Sequence, residues 1–399
     1  YTGRNGGSMF GTMVNKRRGD RIVTVRDKLW KKAGQEGIPL TAAFELLPVC
    51  NFTCKMCYVR KSMTEVQALG GLKDADWWLD KMRQAQELGM LFPLLTGGEP
   101  LLHPDFRKIY DGLINMGMQI GVNSKGSLID RDWAQWFAKQ PPVRINLTLY
   151  GGSEDTYEKL CGNGAAFEKV CNAVQYLKEA GVPVKFNCSV TPQNVQDLEQ
   201  MIAFAKKVES PIEVATYMFP PVRRENGSMY GQNDRLSPEE AGKARAYADY
   251  LQAEPKWLLG QAERFRHFVP LDQLNFELIE RKDMRMHCRA GHSSFWIDWQ
   301  GNITNCGMFG SVEFSLKNRT VKDAWTELRE CTHAMKYAPV CSGCPNLPLC
   351  HSCIAMVQNE CGNTDGRPEY LCRMNASAAA HYQQYAETCR RELQHSETE

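Results

Sequence analysis

The sequence has no run of about 18 apolar residues, and its N-terminus lacks a charged segment followed by an apolar stretch and a small-residue cleavage site. Those absences argue against a membrane span and a secretory signal, so a soluble, cytoplasmic protein is expected. An excess of either charge is missing too: 48 basic residues stand against 46 acidic ones, for a formal net charge of +2. With no global field to attract nucleic acid or an anionic membrane, neither is expected as a partner. There is no internal repeat and no low-complexity segment. Sixteen cysteines in 399 residues are too dilute for a disulfide scaffold, yet most crowd into two short stretches. Clustered thiols in a reducing compartment point to metal. The chain opens on Tyr1, and Gly7-Ser8 precede Met9, so residues 1–8 read as a vector remnant within an N-terminal extension of residues 1–40.

From Thr41 onward, short apolar runs alternate with longer amphipathic segments, the pattern of a parallel sheet with helical crossovers. Strands are expected at Thr41–Leu47, Leu91–Thr96, Gln119–Asn123, Val143–Leu149, Val182–Val190 and Glu213–Phe219. Helices are expected between them at Asp74–Leu88, Pro104–Met116, Ile129–Ala138, Ala165–Ala180 and Asn194–Lys207, with Gly89, Gly117 and Gly181 where C-caps belong. The fold class is therefore α/β, a partial (β/α)6 TIM-like barrel over residues 41–253. Ligands of such sheets sit at the C-terminal strand ends. A helix from Pro238 to about Leu251 leads out of the barrel, and residues 254–287 form a bridge. A cysteine-rich region follows at 288–372, beginning with a hairpin in which Ser294–Trp299 and Ile303–Asn305 flank Gln300-Gly301-Asn302. Residues 373–399 close the chain, with a helix over Ala378–Leu393.

Directly after the first strand, Cys50, Cys54 and Cys57 are spaced C-x3-C-x2-C. Three thiolates on one loop can each reach a different iron of a cubane that prefers four sulfur ligands, which leaves one iron open to an exogenous amine or carboxylate. A zinc knuckle would instead show paired C-x2-C units with four ligands, and buried structural cysteines show no such spacing. Roughly forty residues later, Thr96-Gly97-Gly98-Glu99-Pro100 ends the second strand, and its two glycines allow backbone to approach a ligand closely.

These two motifs resemble the radical S-adenosylmethionine (SAM) superfamily. The resemblance implies that Cys50, Cys54 and Cys57 hold a catalytic 4Fe-4S cluster whose open iron chelates SAM. On reduction, the SAM sulfonium bond splits to give a 5'-deoxyadenosyl radical. It further implies that Gly97, Gly98 and Glu99 meet the SAM amino group. Asn123 and Ser124, at the end of the third strand, would meet its ribose or carboxylate, although the usual Thr-Asn-Gly is replaced here, and Thr148, with Tyr150, closes the fourth strand where related enzymes often carry a serine near SAM. Tyr150, Asn187 and Ser189 occupy neighbouring strand positions, and each of these polar residues also reads as a side chain satisfying a turn. Met56 and Tyr58 either pack on the adenine or cover the cluster. Cys161, Cys171 and Cys188 fit no spacing and read as buried thiols.

In the last third, Cys288-x12-Gly301-x4-Cys306 precedes Cys341-x2-Cys344-x5-Cys350-x2-Cys353, and Cys372 follows. This order resembles the SPASM extension, which carries two auxiliary 4Fe-4S clusters; the last gap, His351-Ser352, is one residue short of the family's usual three. By resemblance, Cys341, Cys344, Cys350 and Cys372 ligate one cluster fully, while Cys288, Cys306 and Cys353 supply three ligands to the other. For its fourth ligand, Cys361, Cys331 and an open iron are the alternatives. Two structural zinc sites are the competing reading of the same C-x2-C pairs. His287, His292, His333 and His351 flank these cysteines as tuning donors or surface residues.

The resemblance implies an oxidative enzyme with SAM, three 4Fe-4S clusters, an external electron donor of flavodoxin or ferredoxin type, and a peptide or protein substrate modified by a crosslink, thioether or similar bond. Arg223 and Arg224, after the sixth strand, offer forked donors for a carboxylate or peptide backbone. A radical dehydrogenase acting on a small molecule or sugar is the alternative, followed by a non-catalytic iron-sulfur carrier. Sulfatase-maturing members carry an aspartate after the hairpin cysteine, where this chain has Gly307, which argues against that activity. The 49 residues before Cys50 are too few for the leader-binding domain of many peptide maturases.

Overall fold

The computed structural model describes residues 24–220, 235–280, 282, 284, 288–350 and 352–396. The strands are β1 Thr41–Glu45, β2 Phe92–Thr96, β3 Gly121–Ser124, β4 Arg144–Thr148, β5 Val184–Ser189, β6 Ile212–Ala215, β7 Ser294–Ile297, β8 Asn302–Cys306 and β9 Phe309–Ser315. The helices of the barrel half are α1 Val25–Glu36, α2 Met63–Ala68, α3 Ala75–Glu87, α4 Phe106–Asn115, α5 Arg131–Lys139, α6 Glu154–Cys161, α7 Ala166–Glu179 and α8 Leu198–Lys207. The remainder comprises α9 Pro238–Gln252, α10 Pro255–Phe265, α11 Val321–Ala334, α12 Pro339–Ser342, α13 Ile354–Cys361 and α14 Glu369–Ser396. No helix of the described residues is long and apolar enough to cross a membrane.

All nine strands form one sheet in the order β6-β5-β4-β3-β2-β1-β7-β8-β9. β1 to β6 run parallel with in-order neighbours, as the sequence pattern predicts for a partial (β/α)6 barrel. The cysteine-rich region joins this sheet directly: β7 pairs parallel with β1, placing Trp296 opposite Ala43, and β8 and β9 continue antiparallel. The turn between β7 and β8 closes on Asp298, whose Oδ1 accepts from Gln300 N (3.0 Å) and Asn302 N (2.8 Å). Gly301 within it has φ +90°, and a β-carbon there would lie 2.8 Å from the Trp77 ring.

Strand side chains alternate between two faces. Ala42, Phe44, Leu95, Val122, Ile145, Leu147 and Phe186 belong to the main apolar core with the surrounding helices. The alternate positions, Ala43 and Leu94 among them, are mostly polar: Glu45, Thr96, Asn123, Asn146, Thr148, Lys185, Asn187 and Glu213. They pair among themselves, Asn146 Nδ2 donating to Asn123 Oδ1 (2.7 Å) and Lys185 meeting Glu213. A closed TIM barrel fills its interior with branched aliphatics; this open one keeps a mostly polar inner face.

Several elements were not legible from periodicity. α6 is short, bounded by the Ser153 N-cap and by Gly162 at φ +65°. α14 begins at Glu369, nine residues before the expected Ala378, because Pro368 starts a turn whose carbonyl accepts from Leu371 N and Cys372 N. Cys372 thus lies in the first turn of the closing helix. α9, α10 and α14 pack through Ala246, Leu258, Ala262, Phe265, Tyr382 and Ala386 into a separate apolar cluster.

Candidate active site

The Cys50–Cys57 loop leaves β1 at its C-terminal end and is fixed mainly by main chain. Gly98 N donates to Leu47 O (2.7 Å), Glu99 N to Val49 O (2.9 Å) and Lys61 N to Pro48 O (3.2 Å). From the far side, the end of α6 accepts Thr53 N on Cys161 O (2.8 Å) and Lys55 N on Leu160 O (3.2 Å). The Gly97–Gly98 pair is required by this approach: a β-carbon on Gly98 would lie 2.3 Å from Val49 O, and one on Gly97 2.5 Å from Leu47 O. The glycines therefore seat the cysteine loop, a local physical role beside any ligand contact.

Glu99 is fully buried. Its carboxylate accepts from Lys125 N (2.6 Å), Ser124 Oγ (3.0 Å) and Leu101 N (3.2 Å). Burial raises its pKa, and the Lys125 ammonium is the largest opposing influence. Ser124 is committed to this network, since its hydroxyl donates to Glu99 and accepts from Gly126 N (3.0 Å). Asn123 points to the inner face with Asn146, and Thr148 is half-buried at the end of β4. Met56 packs with Phe52, Tyr150 and Tyr157, while Tyr58 packs with Val59, Val66 and Trp299. Trp299 comes from the C-terminal hairpin, so that hairpin braces the cysteine loop.

Around the thiols stand three neighbours: Lys125, which sequence reasoning missed, Cys161, which it read only as a buried thiol, and Tyr150, which it placed at a strand end without a thiol contact. Lys125 is the cation common to all three cysteines, and Cys50, Glu99, Cys54 and Cys57 all favour its charged form against the cost of burial. Cys161 and Tyr150 both contact the Cys54 thiol; the Cys161 hydrogen bond is the main cause that lowers Cys54 to about 7, while burial pushes Cys161 up. The signal for Cys161 was its place beside the Gly162 helix stop, not any cysteine spacing. Burial pushes Cys50 up to about 12. Thiols held protonated in this way must release protons when a metal centre forms.

In the C-terminal region, Cys341, Cys344, Cys350 and Cys372 line one cavity. Phe268, Leu271, Leu274 and Leu371 make the rest of its wall largely apolar. Burial holds Cys341 and Cys372 up at about 12, with Cys350 the largest coulombic contributor to both. Cys288, Cys306 and Cys353 gather apart from these, around Phe309, Ile354, Phe219 and Met335. Cys361 stands within electrostatic reach of Cys341, whereas the thiols felt by Cys288 are those of Cys306 and Cys353. The His292 and His333 rings lie 4.9 Å apart with their planes tilted by 43°; His287, His351, Arg223 and Arg224 lie outside the described residues.

Among the described residues, no three or more His, Cys, Asp or Glu side chains converge as they would around a single metal ion. A cubane spreads its ligands over four irons, so the two thiol groupings and the apolar, thiol-lined cavity are judged against that larger object. They suit it: thiols clustered in largely apolar surroundings, and N–H groups aimed at sulfur, as from Phe52 N to Cys50 (3.4 Å) and Arg60 N to Cys57 (3.3 Å).

A buried ionic clasp joins the barrel mouth to this region. Glu360 of α13 accepts from Tyr217 Oη (2.6 Å) and from both ends of the Arg235 guanidinium (2.6 and 3.1 Å). Arg235 also lies 4.1 Å from the centre of the Tyr370 ring. Gly307 packs beneath Trp296, where a β-carbon would come 2.9 Å from the indole, so a carboxylate-bearing side chain at that position would displace the ring.

Residues 44–205 match the sequence model of the radical SAM superfamily. An AdoMet-dependent heme synthase of Methanosarcina barkeri is 22% identical over 77% of this chain and 91% of its own length. The antilisterial bacteriocin subtilosin biosynthesis protein AlbA of Bacillus subtilis is 25% identical over 70% of this chain and 57% of its own. Among solved structures, Streptococcus suis SuiB bound to the precursor peptide SuiA superposes with a TM-score of 0.62 at 15% identity, covering 90% of this chain and 84% of SuiB.

Proposed function

Because the chain carries a radical SAM domain over residues 44–205, which brings with it SAM and a 4Fe-4S cluster, we propose that it oxidatively modifies a peptide or protein side chain with the help of C-terminal clusters. The observation that carries the reading is the pairing of an open three-thiol loop at the strand ends with a separate four-thiol cavity. A group with three ligands keeps an iron free for SAM, and one with four is closed to it. If bound, the catalytic cluster and SAM would supply a radical able to remove a substrate hydrogen atom, and a closed C-terminal cluster would supply an acceptor for the electron the substrate must then lose.

The chain's own residues have defined parts in this reading. Cys50, Cys54 and Cys57 hold the catalytic cluster, with Lys125 as the nearby counter-charge. Gly97 and Gly98 fix the loop, and buried Glu99 faces the SAM amino group with Asn123 and Thr148 beside it. Ser124 acts through Glu99. Met56 and Tyr58 shield the site from water. Cys341, Cys344, Cys350 and Cys372 hold one auxiliary cluster, and Cys288, Cys306 and Cys353 the other, with one ligand left to substrate or solvent. We place the domain division at 287/288, accept a flavodoxin- or ferredoxin-type donor, and favour the cytoplasm, where thiols stay reduced.

Peptide modification is supported by the relatives named for bacteriocin biosynthesis and precursor-peptide binding. The heme synthase, whose length this chain matches almost in full, favours a second reading in which a small molecule related to heme is the substrate. Anaerobic coexpression with precursor peptides encoded beside the chain, followed by mass spectrometry, separates them. A loss of two hydrogens on a peptide supports the first reading; unmodified peptides together with turnover of a tetrapyrrole would replace it with the second.

A further inference from the structure

Hydrogen bonds to thiolate sulfur are one of the levers that set an iron-sulfur potential. At Cys50, Cys57, Cys288 and Cys306 the donor is a main-chain N–H, from Phe52, Arg60, Ala290 and Met308 at 3.2–3.4 Å. Cys350 differs. Its sulfur lies 3.4 Å from the side-chain nitrogen Nδ2 of Asn375, one turn after Cys372 on α14. Asn375 is buried. The same nitrogen also donates to Leu371 O (2.7 Å), and Oδ1 accepts from Arg245 Nη1 of α9 (3.0 Å).

Those three bonds dictate which way the amide faces. Turned over, its oxygen would meet the Leu371 carbonyl and the Cys350 sulfur, and its nitrogen the guanidinium, so every contact would set like against like. The guanidinium further polarises the amide and strengthens its N–H toward sulfur. Mid-helix asparagine has no propensity advantage, and a fully engaged amide on the wall of a thiol-lined cavity is a directed feature.

We infer that Asn375, oriented by Arg245, is a positioning residue that holds an N–H on the Cys350 sulfur and raises the reduction potential of the cluster ligated there. The inference rests on the reading of Cys341, Cys344, Cys350 and Cys372 as iron-sulfur ligands. An N–H dipole aimed at sulfur favours the reduced, more negative cluster, so this cluster is a better electron acceptor with Asn375 in place than without it.

The test is a redox titration of the anaerobically reconstituted 399-residue chain, followed by electron paramagnetic resonance with iron and zinc assayed on the same samples. Asn375→Ala is expected to shift one C-terminal signal to lower potential by about tenfold in its reduction equilibrium, about 59 mV for one electron, and to leave the other signals in place. Arg245→Gln, which keeps the amide but removes the charge, shifts the same signal the same way by less. Full iron with unmoved potentials in both variants overturns the inference while sparing the ligand reading. Zinc in place of iron in the parent protein overturns that reading and the inference with it. If Asn375→Ala does not retain iron, Arg245→Gln decides: a lowered potential supports the inference and an unchanged one rejects it.

Discussion

The two cysteine regions of this chain are built in opposite ways. The Cys50–Cys57 loop is stitched by main-chain bonds to the ends of two strands and one helix, and the side chains that matter most for its position are the absent ones of Gly97 and Gly98. The C-terminal region hangs on side chains. Glu360 clasps Tyr217 and Arg235, Asn346 pairs with both main-chain groups of Val269 (2.8 Å each), and Asn375 bridges Arg245 to Cys350. In the proposed reading, the site where bond-breaking chemistry would start is held by the sheet, and the one that would pass electrons has a surround that single substitutions can tune.

Breaking the first region outright gives the largest effect. Replacing Cys50, Cys54 and Cys57 together with alanine should reduce 5'-deoxyadenosine formation to background while the remaining protein still binds roughly eight irons, four for each of two clusters. Chromatography and iron assay read both quantities, and normal cleavage by the variant would refute the assignment of the loop.

The clasp comes next. Glu360→Ala leaves the Arg235 guanidinium without its carboxylate; breaking a buried pair costs about 3–5 kcal/mol, and the low end applies because Arg235 keeps some contact with water. Denaturant unfolding should show that loss, with Tyr217→Phe losing less, since it removes one bond to a charged acceptor, worth about 1.5–3 kcal/mol. Equal stability of all three proteins would mean that the clasp is not what joins the regions.

Gly98→Ala sharpens the contrast at the loop. Overpacking against main chain costs about 1–3 kcal/mol, and because the atoms met are Val49 O and Pro48 O, the loop itself must move. SAM cleavage should fall far more than stability does. An unchanged cleavage rate would show that the close approach is dispensable.

The smallest effect is a slope. Burial holds Cys341 and Cys372 at about 12, above the ordinary 9.0. In the metal-free chain the unfolded state therefore loses these protons first, binds fewer than the folded state above pH 9, and stability falls as pH rises through the window from about 9 to 12. Cys54, lowered to about 7, has the opposite sign, with stability rising as pH increases from about 7 to 9. Comparing urea midpoints at pH 8 and 10, Cys341→Ala/Cys372→Ala should show a shallower decline than the parent; a steeper one would contradict the burial of those thiols.

The barrel was legible because parallel strands buried against helices announce themselves as apolar runs, and all six appear within a few residues of their expected places. The cysteine spacings were legible for a chemical reason, since ligands on one loop must be near in sequence. What escaped was long-range or short. Lys125, Tyr150 and Cys161 meet the thiols only once β3, β4 and α6 converge. Glu360 and Asn375 carry no pattern, as their partners lie 125 to 143 and 25 to 130 residues away. The joining of β7 to β1 was invisible as well, because nothing local to Ser294–Ile297 names the strand 253 residues earlier beside which it runs parallel.

The division of labour between the two regions is tested most directly by disabling the second and watching the first. The 399-residue chain with Cys341, Cys344 and Cys350 changed to alanine, reduced with dithionite in the presence of SAM, should still form 5'-deoxyadenosine, with about four irons fewer than the parent and little modified substrate. Loss of 5'-deoxyadenosine formation despite an intact Cys50–Cys57 cluster, or undiminished substrate modification by the variant, would contradict the account.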